Sequence, residues 1–213
     1  MFESKAGIFF IAGVGFFAFA FLSNAAVPVA MYRDQPEKTV EELVNPRILY
    51  QFKELSRRFP EAFEDHVGEA SEENCVKALR LGRQVYVGEG CWHCHSQFVR
   101  PVSNDSRRFG AVSETWEYQN ELQRPVMFGT RRVGPDLTRE GGRRGSDWHA
   151  VHFFRPKIVS TDSPMPEYPW LFDGAPDKPN KRGIALITYI QWLGSWHDTY
   201  PYYEELTEMQ LNE

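Results

Sequence analysis

Gly88-Glu89-Gly90-Cys91-Trp92-His93-Cys94-His95 decides how this chain is read. Two cysteines separated by two residues, with a histidine directly after, form the attachment sequence of a c-type haem. The two thiols can add to the two vinyl groups of the porphyrin, and the adjacent imidazole of His95 is presented to the iron. A redox Cys-x-x-Cys would follow a strand in a βαβ unit, and no such pattern surrounds this one. A zinc site would want two further ligands at suitable spacing. His93 occupies a variable position inside the motif and is not expected to bind iron. The third cysteine, Cys75, then has no partner and is expected to pack in the core as a free thiol.

Working outward, the 213 residues allow one ordinary domain plus extras. An aromatic content of 15% suggests large flat surfaces to cover, of which a haem would be one. The net charge of -5 is uneven: +1 over residues 1–33, -5 over 34–78, +3 over 79–150 and -4 over 151–213. The positive block holds eleven Arg and no Lys. An acidic chain without a Lys/Arg-rich run argues against nucleic acid as a partner.

From Ala6 to Tyr32 there is no charged residue, and AGIFFIAGVGFFAFAFL (6–22) is almost wholly apolar. The stretch exceeds the roughly 20 residues needed to cross a bilayer. A cleaved signal peptide is the competing reading, since Lys5 precedes the run and Ala25, Ala26 and Ala30 follow it. The run is longer than an h-region of roughly 7 to 15 residues, so residues 1–33 are expected to be an uncleaved transmembrane anchor in the lipid bilayer. Lys5 and Glu3 nearly cancel and orient it only weakly. Gly7, Gly13 and Gly15 would permit close packing on another membrane helix, or are merely tolerated.

Residues 34–70 read as an acidic linker containing an amphipathic helix. Asn45 and Pro46 are the cap and first turn, and Ile48, Leu49, Phe52, Leu55 and Phe59 recur at helical spacing up to Pro60. Glu61, Glu64, Asp65, Glu69, Glu72 and Glu73 are expected to face solvent or to form a docking surface. Residues 71–200 form the expected haem domain, with 201–213 a C-terminal tail. Ser71 caps a helix to about Val87 that leads into the haem motif. Gly82 within it predicts a close approach to another helix, for which Gly183 to Leu193 is the candidate partner.

Once His95 holds iron, its other ring nitrogen needs an acceptor, and a backbone carbonyl in a rigid loop would serve. Gly134-Pro135-Asp136-Leu137 is such a loop and resembles the Gly-Pro-x-Leu segment of class I cytochromes c. A thioether as sixth ligand would raise the reduction potential. Met1 and Met31 belong to the membrane end and Met209 to the tail, leaving Met127 and Met165. Met165, in Ser163-Pro164-Met165-Pro166, lies in a stiff loop just before the last helix and is the expected ligand; the alternative role is core filling. His149 and His152, three apart on a short helix begun by Ser146, have metal-ligand spacing but no second ligand pair, so a structural or interface role is expected. Arg131, Arg132, Arg143 and Arg144 flank the Gly-Pro loop and the Gly141-Gly142 turn. Guanidinium forks suit carboxylates, including haem propionates, and Arg143 is taken as the candidate contact.

Four segments, GEGCWHCHSQFVRP (88–101), RRVGPDLTREGGR (131–143), SDWHAVHFFRP (146–156) and SPMPEYPWL (163–171), resemble in order the mono-haem subunit II of cbb3-type cytochrome c oxidases. The resemblance implies a mainly α chain: a single N-terminal transmembrane helix plus a class I cytochrome c-like haem domain with long loop insertions. It implies one covalent haem c with iron bound by His95 and Met165. It also implies a place beside a haem-copper oxidase catalytic subunit, with electrons arriving from a di-haem cytochrome c subunit or a soluble cytochrome c. The haem domain would then lie on the outer, periplasmic side of a bacterial inner membrane. The stretch after His95, with Arg100, Arg107 and Arg108, would be docking surface. Residues 34–80 are longer than this family leads one to expect. A free-standing tethered carrier and the cytochrome subunit of a nitric oxide reductase are the other readings. None of them places bond chemistry on this chain.

Overall fold

A computed structural model describes residues 4–197; Met1, Met209 and the expected tail, 201–213, lie outside the described residues. It is mainly helical, at 56% helix and without strands among the described residues. The chain divides into two compact units, Met1–Glu37 and Lys38–Glu213.

In the first unit, one apolar helix, α1, runs over Lys5–Tyr32, 28 residues with a mean hydropathy of 2.2 and none of its span buried. Ser4 starts it, its hydroxyl accepting from the Gly7 amide at 3.1 Å. At about 1.5 Å per residue the helix is about 42 Å long, enough to cross a bilayer by length and composition. Pro28 cannot donate within the helix, and the turn before it, Leu22–Ala26, widens to π geometry, with the Val27 amide reaching back to the Leu22 carbonyl. Two polar side chains sit at this turn. Ser23 donates to the Phe19 carbonyl at 2.8 Å and Asn24 to the Ala20 carbonyl at 3.0 Å, so both are satisfied within the helix.

The second unit is built on a pair of long helices. α2 (Val40–Leu43) and α3 (Pro46–Arg58) come first, followed by α4 (Pro60–His66) and α5 (Glu72–Gly88). The short turns α6 (Cys91–Cys94) and α7 (Asp105–Phe109), then α8 (Ser146–Phe154) and α9 (Lys181–Trp192), complete the order. Ser71 caps α5, accepting from the Asn74 amide at 3.3 Å. Asn180 caps α9, accepting from the Arg182 and Gly183 amides at 3.0 and 3.2 Å. A glycine in mid-helix lets these two touch. A Cβ on Gly82 would overlap the Ala185 carbonyl oxygen and come within 2.6 Å of Tyr189 Cβ. Tyr86 and Tyr189 then meet with ring centroids 5.5 Å apart.

α9 is buried from Gly183 to Trp192, because α5, α3, α4 and α8 all pack against it. α3 has its cap where the sequence predicts it, Asn45 accepting from the Arg47 and Ile48 amides. Its Ile48, Phe52 and Leu55 are buried in the same core as α9, and Phe52 meets Phe63 edge-to-face at 5.0 Å. The chain from Lys38 thus shares a unit with the haem motif, held by the bond from Trp192 Nε1 to the Leu43 carbonyl (3.2 Å) and from Asn45 to Ser195 (2.9 Å). The acidic residues 61, 64, 65, 69, 72 and 73 are all exposed. Cys75 is a free thiol with no exposed surface, and burial pushes its pKa up to about 12.

Candidate functional site

The Cys91-to-His95 turn follows directly on α5, and Gly90 makes the corner with φ +71°, a conformation open to glycine at little strain. Backbone bonds then lock the motif to the loop at 130–137. Thr130 and Arg131 donate to the His93 carbonyl (3.1 and 3.0 Å), Gly134 to that of Cys94 (3.1 Å) and Leu137 to that of Ser96 (2.9 Å). From the other side, the Tyr86 hydroxyl donates to the His95 carbonyl at 2.8 Å. Asp136 is buried at the base, accepting from the Phe98 and Thr138 amides at 2.9 Å each.

His95 Nδ1 lies 2.9 Å from the Pro135 carbonyl oxygen. A carbonyl only accepts, so Nδ1 carries the hydrogen and Nε2 keeps its lone pair. Gly134 is what allows this approach: a Cβ there would come within 2.7 Å of both ring nitrogens. Burial lowers the imidazole's pKa, outweighing the Pro135 carbonyl and Asp136, so the ring stays in the neutral form that can coordinate a metal.

Cys91, Cys94 and His95 open onto a cavity of about 710 Å³. Leu186 and Ile190 of α9 and Phe153 of α8 supply its apolar side. Glu140, Arg143, Arg144, Trp148, His149 and His152 supply polar groups. Met165 lines it as well, in a loop where its amide donates to Ser163 Oγ at 3.3 Å. Met127, the other methionine that the sequence left open, is buried in the core and its carbonyl accepts from the Gln97 amide at 2.6 Å.

The arginines separate. Arg143 lines the cavity 3.5 Å from Glu140, and Arg144 lines it with its guanidinium 4.1 Å from the centre of the Trp148 ring. Arg132 instead forks onto Asp105 at 2.7 and 2.9 Å and donates to Ser96 Oγ at 2.8 Å. Arg131 is exposed. His93 turns to Thr130 Oγ1, 2.8 Å away, and stacks on Trp92. Arg100, Arg107 and Arg108 are exposed on the segment after His95, and Arg108 also reaches the cavity rim.

That segment is not a loose loop. Glu117 is buried and receives hydrogen bonds from Arg139 Nη2 (2.8 Å) and Trp196 Nε1 (2.8 Å), with His197 Nε2 at 3.1 Å. Burial alone would raise its pKa, but the bonds from His197 and Arg139 outweigh it and hold the carboxyl at about 2.

A haem fits these residues by their chemistry. The cavity combines two unpaired thiols, a neutral imidazole with a free lone pair, a thioether, an apolar side and three cationic side chains. His149 and His152 also line it, although His149 Nε2 and His152 Nδ1 are themselves buried, with no hydrogen-bond partner among the described residues. These two histidines were not assigned to the cavity from sequence. Their spacing of three, directly after Arg143-Arg144, was the available signal, because it puts both on one helix face. Among the described residues, no group of three or more His, Cys, Asp or Glu could hold a metal ion by themselves.

No curated protein matches the chain. The profile of the family described as cytochrome c oxidase, mono-heme subunit/FixO matches residues 59–182, from the end of α3 through the cavity to the start of α9. This match covers more than half of the sequence and includes the cysteine pair, His95, Gly134-Pro135, α8 and Met165. With one haem implied by the family and one cavity chemically suited to it, the chain belongs to the cytochrome c oxidase mono-heme subunit/FixO family.

Proposed function

We propose that this chain is the electron-transfer subunit of a cbb3-type terminal oxidase, carrying one haem c attached through Cys91 and Cys94. His95 and Met165 would hold its iron. The observation that carries this reading is the convergence of all four residues on one cavity, with His95 oriented by the Pro135 carbonyl at 2.9 Å.

When bound, the haem supplies a one-electron iron couple. Around it, the chain's residues orient and insulate. Pro135 fixes the plane and tautomer of His95, as partners beyond the ligand shell commonly do. Leu186, Ile190 and Phe153, which line the cavity, would keep water from a bound haem. Pro164 and Pro166 stiffen the loop that presents the Met165 sulfur, and Arg143 is placed to offset a propionate charge. With His95 and Met165 both holding the iron, the chain would pass electrons, and reduction of oxygen would fall to a partner.

α1 anchors the chain in the bacterial inner membrane as residues 1–33, with the haem domain on the periplasmic side. Electrons come from a di-haem cytochrome c subunit or a soluble cytochrome c and go to the haem-copper catalytic subunit. Gentle solubilisation of the membrane should co-purify the chain with b-type haem and oxygen uptake. Recovery of the chain alone would favour a tethered carrier, and nitric oxide reduction by the complex would favour a reductase. For the ligands, the reduced-minus-oxidised spectrum of Met165→Ala is the direct check. An unchanged low-spin His-Met spectrum rules Met165 out.

A further inference from the structure

The loop after Met127 runs alongside the Cys-x-x-Cys-His motif. At one end the Gln97 amide donates to the Met127 carbonyl at 2.6 Å, and at the other the Gly134 amide donates to the Cys94 carbonyl at 3.1 Å. Between them the Thr130 and Arg131 amides meet the His93 carbonyl. Phe128 and Arg131 of this loop are exposed. A second segment joins the same face. Arg100 Nη2 donates to the Phe128 carbonyl at 3.3 Å, and the Arg100 amide donates at 3.2 Å to Asp105 of α7, whose Arg107 is exposed.

The charges on this face do not cancel. Asp105 is buried, and Arg132 takes it at 2.7 and 2.9 Å. Arg107 and Arg131 form no ion pair among the described residues, and the Arg100 guanidinium is on a carbonyl. The excess shows along the chain as +3 over residues 79–150, against -5 over 34–78. Apolar side chains stand among these cations, with Val102 62% and Phe128 54% exposed. Isolated apolar side chains are ordinary on a surface, whereas arginine and aromatic side chains together have the make-up of a contact. Val133 and Arg108 adjoin this face and also line the cavity, so a partner seated here would stand against whatever the cavity holds.

Charge and size together select the occupant. Guanidinium forks recognise carboxylates, so the partner presents acidic side chains. A permanent interface buries a large apolar area; two apolar side chains among arginines match the small, polar contact of a transient redox encounter. We propose that Arg100, Arg107 and Arg131, with Val102 and Phe128 among them, form the docking face for a soluble redox protein of acidic surface, which delivers electrons past Val133 to the cavity. The proposal rests on the reading that the cavity holds haem. One electron moves and no bond forms or breaks: the reduced partner is oxidised, and the haem iron goes from ferric to ferrous. Surface charge of this kind acts on the rate of encounter, so its signature is a rate that falls with ionic strength.

The test uses the full chain purified with its haem and oxidised. It is mixed in stopped flow with two reduced probes, an acidic and a basic soluble c-type cytochrome. The acidic probe should react faster at low salt, and its rate should fall about tenfold or more between about 10 and about 200 mM ionic strength. Arg107→Glu and Arg131→Glu should each lower the low-salt rate about three- to tenfold and flatten its salt dependence, with optical spectrum and midpoint potential unchanged. Arg131→Lys, which keeps the charge, should keep the rate. Phe128→Ser should slow the reaction without changing its salt dependence. Equal rates for the two probes would overturn the proposal. A faster basic probe, slowed by Glu64→Lys, would overturn it and move docking to the exposed acidic residues 61–73. Arginine variants that react as the unaltered chain does, yet no longer co-purify with b-type haem, would overturn it by making the face a permanent subunit contact. If the glutamate variants do not fold, Arg107→Gln and Arg131→Gln should show a smaller loss of the same kind, and unchanged rates in them would overturn it too. Absence of covalent haem from the unaltered protein is a separate result that defeats the haem reading itself.

Discussion

Glu117 and Glu140 are both buried carboxylates with arginine neighbours, at 3% and 5% exposure, yet they behave in opposite ways. Glu117 accepts from Arg139, Trp196 and, across 3.1 Å, meets His197; its carboxyl is held at about 2. Glu140 has Arg143 at 3.5 Å and Arg144 at 3.6 Å, and burial raises its pKa against their pull. Both carboxylates have arginine beside them, but the guanidinium closes on Glu117 and stands further from Glu140, and hydrogen bonding differs accordingly. Around Glu117 the donors close on the carboxylate and tie residues 117, 139, 196 and 197 into one clasp. Around Glu140 the contacts are long, and two residues that line the same cavity, His149 and His152, each keep a buried nitrogen without a partner among the described residues. The saturated cluster is scaffold, whereas the unsaturated one fits a surface shaped for another molecule.

The strongest way to break this comparison is to remove one arginine from each cluster. Arg139→Ala leaves Glu117 buried and uncompensated, and should lower unfolding free energy by about 3–5 kcal/mol in denaturant titration. Arg143→Ala at Glu140 should cost about 1 kcal/mol or less. Equal losses would mean that the two carboxylates are alike. Gly134→Ala comes next: the added Cβ must displace the His95 ring, at a cost of about 1–3 kcal/mol and with a changed haem spectrum. A variant of unaltered spectrum would show that the loop yields without moving the ring.

Acid titration separates the clusters by sign. Glu117 is depressed from an ordinary value of 4.5 to about 2, so its contribution to stability is present above about 4.5 and is lost as pH falls through 2. Glu117→Gln should therefore flatten the acid limb of the unfolding midpoint measured across that window. Glu140 is raised, so its contribution is full below the unfolded value and declines as pH climbs through the folded one. Glu140→Gln should remove that decline. Within the Glu117 cluster the smallest effect expected is from Trp196→Phe, which deletes the 2.8 Å bond to Glu117 and should cost about 1 to 2 kcal/mol by thermal or chemical unfolding.

Much of the architecture was legible because its signals are local. Asn45-Pro46 and Ser71 start helices where caps and first-turn residues predict them. The charge-free run from Ala6 is one long helix, and Gly82 sits where two helices touch, as a glycine in mid-helix suggests. The Gly-Pro loop meets His95, an inference that needed only the chemistry of a ligand's second nitrogen. Other features were not legible. Residues 34–70 read as a linker, yet α3 buries Ile48, Phe52 and Leu55 in the core that includes α9, more than a hundred positions away. His149 and His152 read as structural or interface residues, and their place on the cavity depends on how α8 packs against α9 and α3.

By itself, then, the sequence determined the Cys-x-x-Cys-His motif, the membrane-length helix and the positions of the main helices, all of which depend on residues within a few positions of one another. It also favoured Met165 over Met127, but only the tertiary structure showed Met165 lining the cavity and Met127 buried in the core, and that Glu117 is sealed while Glu140 is not. Burial and hydrogen-bond saturation are properties of a surrounding volume, and that volume is filled by segments the chain brings together only on folding.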